Sequence, residues 1–213
     1  MKAVITTDLV QSSQMSNDER QWFNSKVLEL IQGLSLNKYL KISDFETFRG
    51  DSFQCLLHHP NSALKTALII KTAIRSWNVT KSDSSMLDVR VSLGIGEVEM
   101  ETNKLGTSDG EAFRLSGRRL DQMKKEKRTF CVVTNDIYKE ELATESYLLE
   151  TILANTTAMQ SEVIRYKIEG LNEVSIAKLL NISQSSVNQR ANSGNWHAVN
   201  EMIKRFDQMY HGA

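Results

Sequence analysis

The spacing of apolar residues changes along the chain, and each spacing predicts an element. Residues Lys2–Thr7 form a strand-prone run that stops at Asp8. Beyond it, Phe23, Val27, Leu30, Ile31 and Leu34 recur on one helix face, behind Ser16 and Glu19 at capping-box separation. Two strand-prone stretches, about 41–48 and 53–58, flank Arg49-Gly50-Asp51-Ser52. They predict a β-hairpin whose turn takes its positive φ from Gly50. Pro60 suits the first turn of a helix that buries Ala63, Ala67, Ile70, Ile74 and Trp77. Val89, Val91, Leu93 and Ile95 alternate with Arg90, Ser92 and Gly94, a strand running to about Glu97. Ser108 and Glu111 repeat the capping-box separation and predict a helix to about Met123, followed by a strand at Phe130–Val133.

This order, βαββαβ and then αβ, predicts an α+β protein with a ferredoxin-like sheet, in which the first two strands run parallel and the third inserts between them. The end of strand one then lies at the same sheet edge as the hairpin turn. Asp8 and Asp51, far apart in sequence, become neighbours there, and two carboxylates at one edge suit Mg²⁺ or Mn²⁺. Arg114 and Arg118 share a face of the later helix, with Ser116 and Gly117 small enough for close approach to the sheet. With the aspartates nearby they would clamp a phosphate.

From about Asp136 strand signals give way to helical ones, so the expected domains are 1–135 and an all-α region 136–213. Within the latter, residues 173–192 have helix-turn-helix form. Ile176, Ala177 and Leu180 give the first helix its core side, Asn181 tolerates a left-handed turn, Ile182 anchors it, Ser183 caps the second helix and Val187 packs it back. Gln184, Ser185, Asn188, Gln189 and Arg190 are the candidate DNA contacts. An amphipathic helix, Trp196 to Tyr210, could pair with a second copy.

Charge and composition narrow the partners. Lys and Arg balance Asp and Glu over the whole chain, so no global pull toward nucleic acid or membrane exists. Residues 151–213 carry only +1, which makes one copy a weak DNA binder and calls for a homodimer. No apolar run approaches a membrane span, and Asp8 interrupts the start too early for a signal peptide. Cys55 and Cys131 lie in strand-prone segments and are expected as buried free thiols, consistent with a cytoplasmic protein. His58 and His59 lack metal-ligand spacing, and Met123–Arg128 is expected as a solvated helix end.

With these residues identified, the first 135 positions resemble the palm-type catalytic domain of class III nucleotide cyclases and GGDEF diguanylate cyclases. TTDLVQSS resembles the strand bearing the first metal aspartate, FRGDSF the Gly-Asp hairpin, DVRVSLGIGEVE the strand with a Gly-x-Gly ending, and GEAFRLSGRRL the helix bearing the transition-state arginine. The whole chain also resembles the small bacterial SatD family. The cyclase resemblance implies that Asp8 and Asp51 hold metal and that Arg118 stabilises phosphate. Arg114 stands where cyclases carry a ribose-orienting Asn, and Thr47 and Thr107 stand at base-recognition positions. Arg49, beside Asp51, joins Thr47 and Thr107 in the expected nucleotide-binding set. Two functions follow as expectations. One is a transcriptional regulator that couples a nucleotide- or phosphate-binding domain to DNA. The alternative is a metal-dependent nucleotidyl cyclase using Asp8, Asp51 and Arg118.

Overall fold

In the computed structural model, which describes residues 1–36, 40, 42–48, 51–79, 87–102 and 104–212, the chain forms a mixed α+β fold. Lys41 and the Arg49-Gly50 pair of the hairpin turn lie outside the described residues. The chain runs through β1 (Lys2–Leu9), α1 (Asn17–Ser35), β2 (Ile42–Phe48), β3 (Ser52–Leu57), α2 (Ala63–Ser76) and β4 (Val89–Gly96). A two-stranded ribbon, β5 (Val98–Met100) and β6 (Asp109–Gly110), precedes α3 (Glu111–Glu126) and β7 (Phe130–Val133). Helices α4 (Lys139–Ala154), α5 (Ala158–Ile168), α6 (Glu173–Leu180), α7 (Gln184–Ser193) and α8 (Trp196–Met209) complete it.

The capping box at the start of α1 forms as the spacing predicts. Ser16 Oγ accepts from the Glu19 N–H at 3.2 Å, and the Glu19 carboxylate accepts from the Ser16 N–H at 2.9 Å. The five apolar residues of its predicted face are all buried. The same spacing misleads at α3. Asp109 and Gly110 are held extended by pairing with β5, so the helix begins only at Glu111. Ser108 Oγ instead accepts from the Thr102 N–H, and Glu111 accepts from Asn135 Nδ2.

The main sheet has the order β2-β3-β1-β4-β7. Strand β3 is antiparallel to both β1 and β2, β4 is antiparallel to β1, and β7 runs parallel to β4. Pleating sends Ala3, Ile5 and Leu9 into the core shared with α1 and α2, and Val4 and Leu56 toward Ala112 and Phe113 of α3. Helices therefore cover both faces, which is why Ser92 is fully buried although it alternates with the apolar residues of β4. Helix α3 lies very close to the sheet. A Cβ on Gly94 would come within 2.5 Å of the Ala112 carbonyl oxygen and 2.7 Å of the Ser116 nitrogen, whereas nothing lies within 4 Å of one on Gly117. The close approach belongs to Gly94 and buried Ser116, and Gly117 has no part in it.

The core does not stop at residue 135. Leu142, Leu149 and Leu153 of α4, Ile164 of α5, and Val199, Ile203 and Phe206 of α8 belong to the same apolar cluster as Ile5, Leu93 and Phe130. One apolar cluster thus draws residues from both sides of position 135. Helices α6 and α7, with Val163 of α5, form a separate cluster built on Ile176, Val187 and Ala191.

A buried ionic cluster ties these layers together. Lys71 of α2 is 0 % exposed, and Arg75, one turn on, is 3 % exposed. Asp88, just before β4, receives Lys71 at 2.6 Å and Arg75 at 3.0 Å. Lys71 also donates to the Val89 carbonyl at 2.7 Å, and Arg75 to the Thr156 carbonyl, between α4 and α5, at 2.7 Å. Burial pulls the Lys71 ammonium below its ordinary pKa, and Asp88 opposes that shift. Removing the carboxylate charge would strand two buried cations, so Asp88→Asn should lower unfolding free energy by about 3–5 kcal/mol in urea titrations. A loss below about 1 kcal/mol would contradict this role.

Candidate functional site

Asp8 is the penultimate residue of β1, where the strand leaves the core, so its backbone is held by the sheet while its side chain reaches the edge. The register places Ser52 and Arg90 on either side of it, and the Leu9 N–H donates to the Asp51 carbonyl at 2.9 Å. The backbones of Asp8 and Asp51 are thus adjacent at one end of the sheet.

Their carboxylates have different partners. Asp8 is ion-paired with Arg90 Nη1 at 3.0 Å and with Lys124 Nζ of α3 at 3.4 Å. Asp51 accepts from Ser12 Oγ at 2.7 Å, in the short 3-10 turn that leads from β1 toward α1. Arg20 of α1 holds that turn by donating to the Ser12 carbonyl at 2.8 Å. Asp8 therefore faces a fixed cation and a more exposed one, and Asp51 faces a hydroxyl. Among the described residues no group of three or more His, Cys, Asp or Glu is placed to hold a metal ion.

The two arginines of α3 are elsewhere. Arg114 donates to Glu99 at 2.7 Å and to Asp109 at 2.9 Å. These partners lie on the two strands of the ribbon beyond Gly96, and Gly96 is in register with Lys2 at the opposite end of β1 from Asp8. Six strand positions separate the two ends, roughly 20 Å at about 3.3 Å per residue. Arg114 cannot clamp a phosphate held by Asp8 of the same chain, and its donors are already committed to carboxylates. Arg118 is exposed and lines an open cavity of about 420 Å³ with Glu97, Glu99, Glu111 and Asn135. The expected clamp is thus dispersed within one chain.

Nor do the expected base-recognition residues come together. Thr107 closes a 3-10 turn whose Gly106 N–H donates to Glu46 at 2.9 Å, and Thr107 itself bonds Thr102 and the Lys104 carbonyl. Glu46 lies on the side of β2 facing that turn, so alternation directs Thr47 to the other face. Arg49 lies outside the described residues.

The α6–α7 pair follows the sequence expectation closely. Asn181 adopts the left-handed conformation at φ 52° and ψ 47°, and Ser183 Oγ accepts from the Ser186 N–H at 3.1 Å. Ile176 and Val187 are fully buried, and Leu180 and Ile182 pack partly buried against them. Gln184, Ser185, Asn188 and Gln189 are exposed together on α7. Arg190 stands apart, half-buried near Glu162 of α5, whose carboxyl burial pushes up while Arg190 opposes the rise only in part. Glu173 lies beside Asn188 as an anion, kept ionised chiefly by Lys167 at 2.9 Å.

Arg90 and Lys124 were not picked out from the sequence. The signal was the register itself, since a strand pairing antiparallel with β1 must set one residue opposite Asp8, and that residue is Arg90. The chain matches no family model and no curated protein. Among the described residues no helix is long and apolar enough to cross a membrane.

The unequal partners of the two aspartates give a direct test. Asp8→Asn leaves partly buried Arg90 without its ionised acceptor and should lower unfolding free energy by about 1–3 kcal/mol. Asp51→Asn keeps an acceptor for Ser12 and should stay within about 1 kcal/mol of the parent. Equal losses in urea titrations would contradict the assignment.

Proposed function

We propose that the chain is a cytoplasmic transcriptional regulator, related to the SatD family, in which a ferredoxin-like, palm-type sheet region binds a nucleotide-derived phosphate ligand and a helix-turn-helix binds DNA. The observation that carries this reading is α7, with Gln184, Ser185, Asn188 and Gln189 open to solvent above a face held by Val187 and Ala191. Amide and hydroxyl groups in that array match the donors and acceptors of base edges. The strand order supports the palm reading. Helix α1 links parallel β1 and β2 across β3, and α2 links parallel β3 and β4 across β1, two interlocked crossovers of the ferredoxin-like kind.

Charge sets the stoichiometry. A +1 tail, with Glu173 beside the candidate DNA face, neutralises too few phosphates for one copy to hold a duplex at physiological salt. A homodimer presenting two α7 helices to half-sites about 34 Å apart is required.

The second reading, a Mg²⁺- or Mn²⁺-dependent nucleotidyl cyclase, is favoured by the adjacent backbones of Asp8 and Asp51 at one sheet end. A hard cation would need both carboxylates turned toward it, and here Asp8 is bonded to Arg90 and Lys124 while Asp51 is bonded to Ser12. A cation held there would activate a hydroxyl and neutralise a leaving polyphosphate. Arg118 is free to approach a second copy, while Arg114 is already committed. An incomplete phosphate clamp within one chain favours the regulator.

Selection of random duplexes by a verified dimer, repeated at several salt concentrations, tests the reading. An enriched two-fold motif is expected. Gln189→Ala should relax preference at its base pair by about 1–3 kcal/mol, while Arg190→Ala, acting from a half-buried position, should leave the motif unchanged. Recovery of no motif would overturn DNA binding. A product formed from a nucleoside triphosphate with Mg²⁺ or Mn²⁺, and lost in Asp51→Asn, would establish the enzyme instead.

A further inference from the structure

A groove between α4 and α8 belongs to neither site. It encloses about 530 Å³, inside the roughly 300–1,000 Å³ range of small-molecule pockets. Leu148, Leu149, Ile152 and Met202 form its apolar wall, and Ala198 leaves one side shallow. Leu148 is 59 % exposed, apolar surface that neither helix covers.

The charged rim is unevenly satisfied. Lys204 is tied to Glu201 at 2.6 Å, and Arg205 donates twice to Glu141, at 2.8 and 3.2 Å. Glu145 is left over, because its Oε2 is closed off from solvent and has no hydrogen-bond donor. Burial raises the pKa of this carboxyl, Glu141 adds to the rise, and Arg205 opposes it. A buried carboxyl oxygen without a donor is costly, and the neighbouring cations are already committed. The groove thus combines an apolar wall with the carboxylate of Glu145, to which neither Lys204 nor Arg205 is bonded.

We propose that this groove binds a small amphiphile, with a primary ammonium head bonded to Glu145 and a short apolar body lying along Leu148, Leu149, Ile152 and Met202. The charge is complementary, since the head balances a carboxylate lining the groove whose neighbouring cations bond other residues. Met202, flexible and polarisable, can adjust to the body of the ligand. The site is independent of either functional reading above.

Cyclohexylmethylammonium is a suitable probe, with cyclohexylmethanol as its uncharged counterpart. Calorimetric titration of the full chain should give saturable one-site binding, and the Met202 methyl resonance should shift with the same affinity. Glu145→Gln should weaken binding at least tenfold with an unchanged circular dichroism spectrum and Tm, and Ala198→Phe, filling the groove, should abolish it. The alcohol should bind at least tenfold more weakly. The proposal is overturned if the ammonium shows no saturable binding, if the alcohol or Glu145→Gln matches it, or if the Met202 methyl does not respond. A solution dimer that covers Leu148 would also overturn it by showing that a second copy occupies the groove.

Discussion

The carboxylate of Asp88 is the point at which most of the fold is joined. It sits between Lys71 and Arg75, two cations that α2 carries into the core one turn apart. Its backbone carbonyl accepts from Val10 at the end of β1. Through Arg75 the same cluster reaches Thr156, between α4 and α5. Desolvating these charges is expensive, so the cluster persists only because each has a close partner. It fixes the start of β4 against α2, and therefore fixes the sheet end where the backbones of Asp8 and Asp51 are adjacent.

That arrangement explains the electrostatic division of the sheet. At one end Asp8 is balanced by Arg90 and Lys124. At the other, Arg114 is consumed by Glu99 and Asp109. Because α3 is locked against Gly94, its register on β4 cannot slide to carry Arg114 toward Asp8. Within one chain the carboxylate end and the arginine end stay apart, so any chemistry that needs both must recruit a second copy. The α6–α7 pair hangs on its own small cluster, free of that constraint.

What could be read from the sequence was local. The face of α1, its capping box, the left-handed Asn181 and the Ser183 cap all depend on residues within a few positions of one another, and they form as expected. The placement of the end of β1 beside the hairpin was also legible, because strand order alone brings them together. What was not legible is tertiary. Ser108 and Glu111 have helix-start spacing, yet β5 claims the intervening residues. Nothing local marks Lys71 and Arg75 for burial, and the packing of β4 and α5 around α2 buries them. The break at residue 135 is a real change of periodicity, but α4 and α8 return their apolar faces to the same core. Arg114 was placed by its helix face, whereas Glu99 and Asp109, on a ribbon with almost no apolar signal, decide where it points.

The central claim is that one core carries both the sheet edge and the C-terminal helices, with the α6–α7 pair as a lesser unit on it. Native-state hydrogen exchange on the full chain tests this most directly, since amides that open together report one cooperative unit. Amides of α4 and α8 should exchange at the same opening free energy as those of β1 and β4, and amides of α6 and α7 at a lower one. Exchange of α4 and α8 as a separate unit, well before the sheet opens, would contradict the claim.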